Sequence, residues 1–110
     1  MPNKKLPLIL LAALALSGCG ATKIGRIKAD PSRYHNRNVK VEGTVTRSVG
    51  AIVAGLYEVE DETGKIYVLS NRGVPSKGSR VGVSGTVTSG VTVGSRSFGT
   101  AIRERDHKVR

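Results

Sequence analysis

Few residues in this sequence have the types and spacing that catalysis requires. The two histidines, His35 and His107, lie in polar segments that we predict to be exposed, and neither has a serine beside it in an evident base arrangement. The acidic run Glu58 to Glu62 alternates like a strand entering a turn, which predicts a solvated hairpin tip and not a cation site. No cysteine–histidine cluster has zinc spacing. We therefore predict a chain that is not an enzyme and has no cofactor and no metal site.

The only cysteine, Cys19, follows a segment typical of exported proteins. Two lysines stand among the first five residues, and the apolar run LPLILLAALAL extends from Leu6 to Leu16. A positive start, an apolar stretch much shorter than the ~20 residues of a membrane-spanning helix and a small-residue ending are typical of a secretory signal peptide. We predict that this signal peptide covers residues 1–18.

The four residues LSGC, from Leu16 to Cys19, are similar at every position to the lipobox of bacterial lipoproteins. This resemblance implies a diacylglycerol on the Cys19 sulfur, cleavage before Cys19 and a fatty acid such as palmitate on the new amino group. Residues 19–23 would then be an acylated cysteine with a short tether. The implied location is the cell membrane or the outer membrane, facing the periplasm or the exterior.

A second group of residues could bind a ligand. The formal net charge of +10 suits nucleic acid, an anionic polymer or an anionic membrane surface. The outward face of one predicted strand carries Tyr67 beside Glu58 and Glu60, and two carboxylates there would repel a phosphate chain. The candidate binding face comprises Tyr67, Leu69, Lys65, Arg72, Lys77 and Arg80.

An apolar stretch, SVGAIVAGLY, separates two of the predicted strands. Its apolar residues Val49, Ile52 and Val53 either extend these strands into a longer hairpin or form a contact for a protein or glycan partner. The sequence leaves both alternatives open.

A repeated phrase locates two strands that must hold these residues. VKVEGTVT (Val39 to Thr46) and VGVSGTVT (Val81 to Thr88) agree at six of eight positions. In each copy the valines share one face, and a glycine, Gly43 or Gly85, falls on that same inward face. A glycine there allows a sharp bend or a close backbone approach. We therefore predict two similarly bent strands.

Alternation elsewhere predicts three more strands and no long helix. In the hairpin around Asp61 to Gly64, pairing Val59 with Ile66 and Tyr57 with Val68 puts the apolar residues on one face. Phe98, Thr100 and Ile102 are expected to share a face of the last strand, and the segment Ile24 to Tyr34 to plug the core. The five predicted strands are Val39–Val49, Leu56–Asp61, Lys65–Ser70, Arg80–Thr88 and Arg96–Arg105, followed by a frayed charged tail at 106–110.

This order of strands resembles OB domains of the anticodon-binding and single-strand-binding type over Val39 to Arg105. The resemblance implies an all-β fold, a small five-stranded Greek-key barrel over residues 24–105 in which the first and fourth strands pair. The usual helix between strands 3 and 4 has no counterpart here. The matching residues are Asp61, Thr63, Gly64 and Ile66 of the hairpin and Gly78, Val81, Val83, Gly85 and Val87 of the fourth strand.

Together these features predict a membrane-anchored, non-catalytic OB-type interaction module of the bacterial cell envelope. Its expected ligand is an envelope protein or an anionic polymer. The alternative is an OB domain displayed outside the cytoplasm that binds single-stranded nucleic acid, because OB domains of that type stack bases on aromatic residues in a basic groove.

Overall fold

The computed structural model describes residues 20–50, 55–93 and 95–110. The predicted signal peptide, Cys19, Ile52 and Val53 lie outside these residues. Among the described residues, no helix has the length and apolar character needed to cross a bilayer. The elements are α1 (Ile24–Ala29), α2 (Pro31–Tyr34), β1 (Asn38–Gly50), β2 (Gly55–Asp61), β3 (Gly64–Ser70), β4 (Arg80–Val93) and β5 (Arg96–Val109).

The five strands close into a barrel in the order β1-β2-β3-β5-β4. Every pairing is antiparallel except the short parallel contact of β3 with β5. The two similar phrases lie side by side, with Val41 of β1 opposite Val83 of β4. The predicted all-β, five-stranded OB-type barrel is therefore confirmed, and the β3–β4 connection contains no described helix.

Period-two alternation places the core inside this barrel. The inward positions of β1 and β4 are the predicted ones, because Val39, Val41 and Val45 of β1 and Val81, Val83 and Val87 of β4 are all buried. The β2–β3 hairpin has the predicted register, with Val59 opposite Ile66. The core cluster contains Ile24, Ile27, Val39, Val41, Val45, Tyr57, Val59, Ile66, Val68, Val81, Val83, Val87 and Ile102.

Helix α1 closes one end of the barrel, as expected of the segment Ile24 to Tyr34. Ile24 and Ile27 are fully buried against the core. The helix is fixed to the β2–β3 hairpin because the Ile24 N–H donates to Asp61 Oδ2 at 2.9 Å, and the Gly25 N–H donates to Thr63 Oγ1 at 2.7 Å. Asp61 Oδ1 also accepts from the Thr63 N–H at 2.7 Å. One carboxylate therefore joins the hairpin turn to the start of the helix.

We expect Asp61→Asn to lower the free energy of unfolding at neutral pH. The variant should also lose less stability than wild type as the pH falls. Partial burial opposes ionisation of Asp61, but hydrogen bonds from Ile24, Thr63 and Gly64 outweigh it and hold its pKa below the usual 3.8. The native state therefore releases this proton more readily than the unfolded chain. The resulting stability is present above the unfolded pKa and disappears as pH falls through the lower native value.

Melting curves of the full chain between pH 7 and pH 2 test this expectation. At pH 7 the variant should lose about 1–2 kcal/mol of unfolding free energy, and the difference from wild type should shrink in acid. Glu60→Gln, on the exposed face of the same hairpin, is the matched control. A constant difference across the pH range would contradict the assignment.

The predicted frayed tail at 106–110 is wrong, because these residues complete β5 and dock on β4. Val109 pairs with Val81, and the Arg110 N–H donates to the Arg80 carbonyl at 2.8 Å. A β-bulge explains how residues 106–110 can pair with β4. Ser84 opposes Asp106 while Gly85 opposes Glu104, so Arg105 has no partner and the alternation of faces shifts. The charged residues can therefore follow β4 in regular pairing.

The predicted face shared by Phe98, Thr100 and Ile102 is also wrong. Gly99 has φ +63°, and the β4–β5 register shifts between Thr88 and Val91. Ile102 lies in the core, whereas Phe98 packs on Tyr67 outside the barrel. A single left-handed glycine therefore separates the two large residues onto opposite faces.

Candidate binding site

Three residues of the predicted binding face lie together on the outside of β3. Lys65 is exposed, and Tyr67 and Leu69 are half-buried. They stand opposite Glu60, Glu58 and Leu56 of β2 respectively. The register predicted from burial therefore also places this outer face correctly.

Apolar side chains extend that face across four strands. Val49 of β1 pairs with Leu56, and Leu56 pairs with Leu69. Val49 is 62% exposed. The ring centroids of Tyr67 and Phe98 are 4.7 Å apart with planes at 64°, an edge-to-face contact. We call Val49, Leu56, Leu69, Tyr67 and Phe98 the outer patch.

Leu56 and Phe98 were missing from the predicted site. Leu56 could have been found, because it precedes Glu58 by two residues on an alternating strand and so shares its face. Phe98 could not, because its side depends on the left-handed Gly99.

Carboxylates border the outer patch on one side. Glu58 lies between Arg47 of β1 and Tyr67 of β3, and its Oε1 accepts a hydrogen bond of 2.8 Å from Thr46 Oγ1. Glu60 is exposed one row further along. The aromatic pair is therefore flanked by negative charge on β2.

The remaining predicted basic residues do not converge on Tyr67. Arg72 Nη1 lies 3.2 Å from Asp106 Oδ1 of β5. Arg80 belongs to a row that runs from Lys65 through Glu60 and Thr44, so two residues separate it from Lys65. Lys77 is exposed in the β3–β4 connection. The predicted basic part of the face is therefore dispersed.

A buried polar cluster inside the barrel was not predicted at all. The side chain of Glu104 is fully buried, and its Oε1 accepts from the Tyr57 hydroxyl and lies 2.6 Å from His107 Nδ1. The Ser70 hydroxyl lies 2.9 Å from Oε2. Burial and then the bond to Glu104 raise the pKa of Tyr57 well above its usual value, so its hydroxyl stays a neutral donor.

This cluster corrects the prediction that His107 is exposed, since only 18% of its side chain is. It lacks the order of a nucleophilic triad. The Ser70 hydroxyl contacts the carboxylate and the Gly73 carbonyl, whereas in a triad the histidine lies between serine and acid. Its contacts suit a structural tie between β2, β3 and β5.

A cleft of about 480 Å³ at the α1 end of the barrel is rich in carboxylates. Three of these four carboxylates are already engaged, because Asp61 accepts from α1, Glu62 lies 2.6 Å from Lys23, and Glu42 lies 2.9 Å from Arg110. Over the described ranges, no group of three or more acidic, histidine or cysteine side chains is placed to hold a metal ion.

No protein-family model matches the chain, and no curated protein matches it in sequence. Solved structures do match its fold. Asparaginyl-tRNA synthetase from Pyrococcus horikoshii aligns with TM-score 0.58 and 17% identity, covering 70% of this chain and 20% of that one. A protein described as an aspartyl-tRNA synthetase from Leishmania major Friedlin aligns with TM-score 0.63 and 13% identity, covering 83% and 21%.

A third match is much shorter. OBody AM3L09, solved bound to hen egg-white lysozyme, aligns with TM-score 0.56 and 21% identity over 70% of this chain and 84% of that one. The present chain spans about a fifth of the length of the two synthetases. At these identities the likeness concerns the fold alone, and that fold is the OB-type barrel.

Proposed function

We propose that this chain is a non-catalytic binding module of the bacterial cell envelope, held at a membrane by a lipid on Cys19, and that its outer patch binds a protein. The observation that carries the proposal is the continuous apolar row Val49, Leu56 and Leu69 beside the Tyr67–Phe98 pair. Apolar side chains grouped on an otherwise polar surface mark interaction sites. The sequence LSGC supports the lipid anchor.

A protein fits this surface better than a polyanion. The centres of protein interfaces are rich in tyrosine and phenylalanine and poor in charge, and a polar rim surrounds them. Glu58 and Glu60 supply such a rim on β2, where they would repel phosphates. The lysozyme complex of OBody AM3L09 supports the proposal further, since there an OB-type barrel of similar size holds a protein.

Two exposed valines provide a matched test. Val49 is 62% exposed within the outer patch, and Val109 is 59% exposed at the end of β5. The full chain is tagged, expressed in bacteria and crosslinked in place. The wild-type chain and the Val109→Asp variant should capture the same envelope protein. Val49→Asp should lose it, because a carboxylate in the interface centre is desolvated without a partner. Equal capture by both variants would refute the outer patch as the contact.

The anchor is tested separately. We expect the wild-type chain to incorporate an alkyne analogue of palmitate and to fractionate with membranes, and Cys19→Ala to do neither. One acyl chain gives only marginal membrane binding, so two or three are needed for a stable hold. A wild-type chain that takes up no label would end the lipoprotein proposal and leave the protein-binding proposal intact.

A second candidate function rests on the Tyr67–Phe98 pair alone. The face of strands 2 and 3 of OB folds binds oligonucleotides, and aromatic rings in such sites stack the bases, worth about 1–3 kcal/mol per base. Tyr67 lies on that face, and Phe98 of β5 packs beside it. If this chain does the same, Tyr67→Ala should weaken binding of a labelled oligothymidylate about 5- to 150-fold. Wild-type protein that leaves the anisotropy of the oligonucleotide unchanged would eliminate this candidate.

A further inference from the structure

A second surface runs along β4, which β1 and β5 separate from β2 and β3. Three successive outward residues of β4 are small, namely Gly82, Ser84 and Thr86. Their partners on the neighbouring strands are larger: Lys40 and Asp106 flank Ser84, Glu42 and Lys108 flank Gly82, and Asn38 and Arg103 flank Thr86. The small residues form the floor of a recessed channel, and the larger flanking residues form its two walls. We call this channel the β4 trough. Around Gly82 and Ser84 it encloses about 250 Å³.

Gly82 gives this trough its shape at one end. The Arg110 guanidinium lies across Gly82 and reaches Glu42, with Nη2 to Oε2 at 2.9 Å. A Cβ at position 82 would stand 2.8 Å from Arg110 Nη2. Because Gly82 has no side chain, the Arg110 guanidinium can lie close to the β4 backbone, where it forms one end of the trough.

The trough has a net positive charge, because each of its acidic residues is paired with an arginine. Glu42 is paired with Arg110, and Asp106 is paired with Arg72 at 3.2 Å. Lys40, Arg103 and Lys108 are exposed, and no acidic partner contacts them within the described part of the chain. Three uncompensated cations therefore stand on both walls of one channel.

We propose that the β4 trough binds a linear polyanion through its repeated phosphate or sulfate groups. Cations on both walls surround a single chain, whereas a flat membrane would touch only their tips. The residues of the trough include no aromatic ring, so the recognised feature is charge and not a base. The Ser84 hydroxyl lines the floor and can donate a hydrogen bond to an oxyanion. This site is independent of the outer patch.

The test uses the full chain in a non-ionic detergent with two fluorescent probes, polyphosphate and heparin, titrated at several salt concentrations. The three uncompensated cations predict a slope of log K against log salt of about −2. Lys40→Glu/Lys108→Glu should weaken binding about tenfold or more and flatten the slope. The probe that binds more tightly identifies phosphate or sulfate as the preferred group.

The control has the same change in net charge at another place. Arg26→Glu/Lys28→Glu alters two exposed cations of α1, and we expect less than about a twofold change. Ser84→Glu, which puts a carboxylate on the trough floor, provides a second variant, and melting curves establish that each variant is folded. Equal weakening by the two double variants, no binding of either probe by wild type, or tighter binding to anionic vesicles than to both probes would overturn the proposal.

Discussion

Replacing Glu104 by alanine should lower the free energy of unfolding by about 3–5 kcal/mol, because it removes the centre of a buried polar cluster. The carboxylate accepts from Tyr57, lies 2.6 Å from His107 Nδ1 and 2.9 Å from the Ser70 hydroxyl. Without it, the Tyr57 hydroxyl and His107 Nδ1 lose the carboxylate that they contact, Ser70 keeps only its backbone partners, and a cavity opens between β2, β3 and β5. Unsatisfied buried groups cost more than the bonds contribute when they are made.

Chemical denaturation of the full chain checks this expectation, with two variants for comparison. Tyr57→Phe removes only one donor and should cost about 1.5–3 kcal/mol, the usual worth of a hydrogen bond to a charged group. Arg105→Ala changes the neighbouring exposed residue of the bulge and should change stability by less than about 0.5 kcal/mol. A Glu104→Ala protein as stable as Arg105→Ala would contradict the role assigned to the cluster.

The barrel could be predicted because burial decides the register of most of its strands. In the β2–β3 hairpin only one register puts Tyr57, Val59, Ile66 and Val68 on a single face, and that register is the observed one. The repeated phrase likewise predicted that β1 and β4 are bent alike. Where each strand alternates without interruption, its sequence alone identifies the inner face.

β5 shows where this reasoning fails. A bulge at Arg105 and a left-handed Gly99 each shift the alternation, and neither has a clear signature in the sequence. Glu104 itself turns inward by plain alternation, two residues after the buried Ile102, although it stands between two arginines in a run that suggests a solvated tail. The charge of this carboxylate favours exposure, but the donors of β2 and β3 that satisfy it become visible only after folding.

The candidate site was predicted in part for the same reason. Tyr67, Leu69 and Lys65 follow from the hairpin register, whereas Phe98 depends on the Gly99 conformation. The β4 trough requires the order β1-β4-β5, so its cations come from β1 and β5, two segments distant in sequence. The assignments of Cys19, Ile52 and Val53 stay predictions.

Gly43→Val and Gly85→Val should each lower the free energy of unfolding by about 3 kcal/mol, the upper end of the usual cost of forcing side-chain volume into a filled core. Neither glycine has a positive φ, so the reason is space and not backbone strain. A Cβ at Gly43 would overlap the carbonyl oxygen of Glu60, and one at Gly85 would overlap that of Arg103. Backbone atoms in a closed barrel cannot move aside as a flexible side chain can.

The two positions share this constraint because each lies at an irregular point of the barrel wall. Gly43 stands at the junction where β1 leaves β4 and begins to pair with β2, and Gly85 stands beside the bulge between β4 and β5. Gly64→Ala is the matched control, since a Cβ there meets its nearest atom, Ile24 Cγ2, at an ordinary 3.7 Å. We expect Gly43→Ala and Gly85→Ala to unfold at clearly lower denaturant than Gly64→Ala. Three alanine variants of equal stability would show that the barrel can relax at these bends, and the close approach would then not explain the repeated glycine.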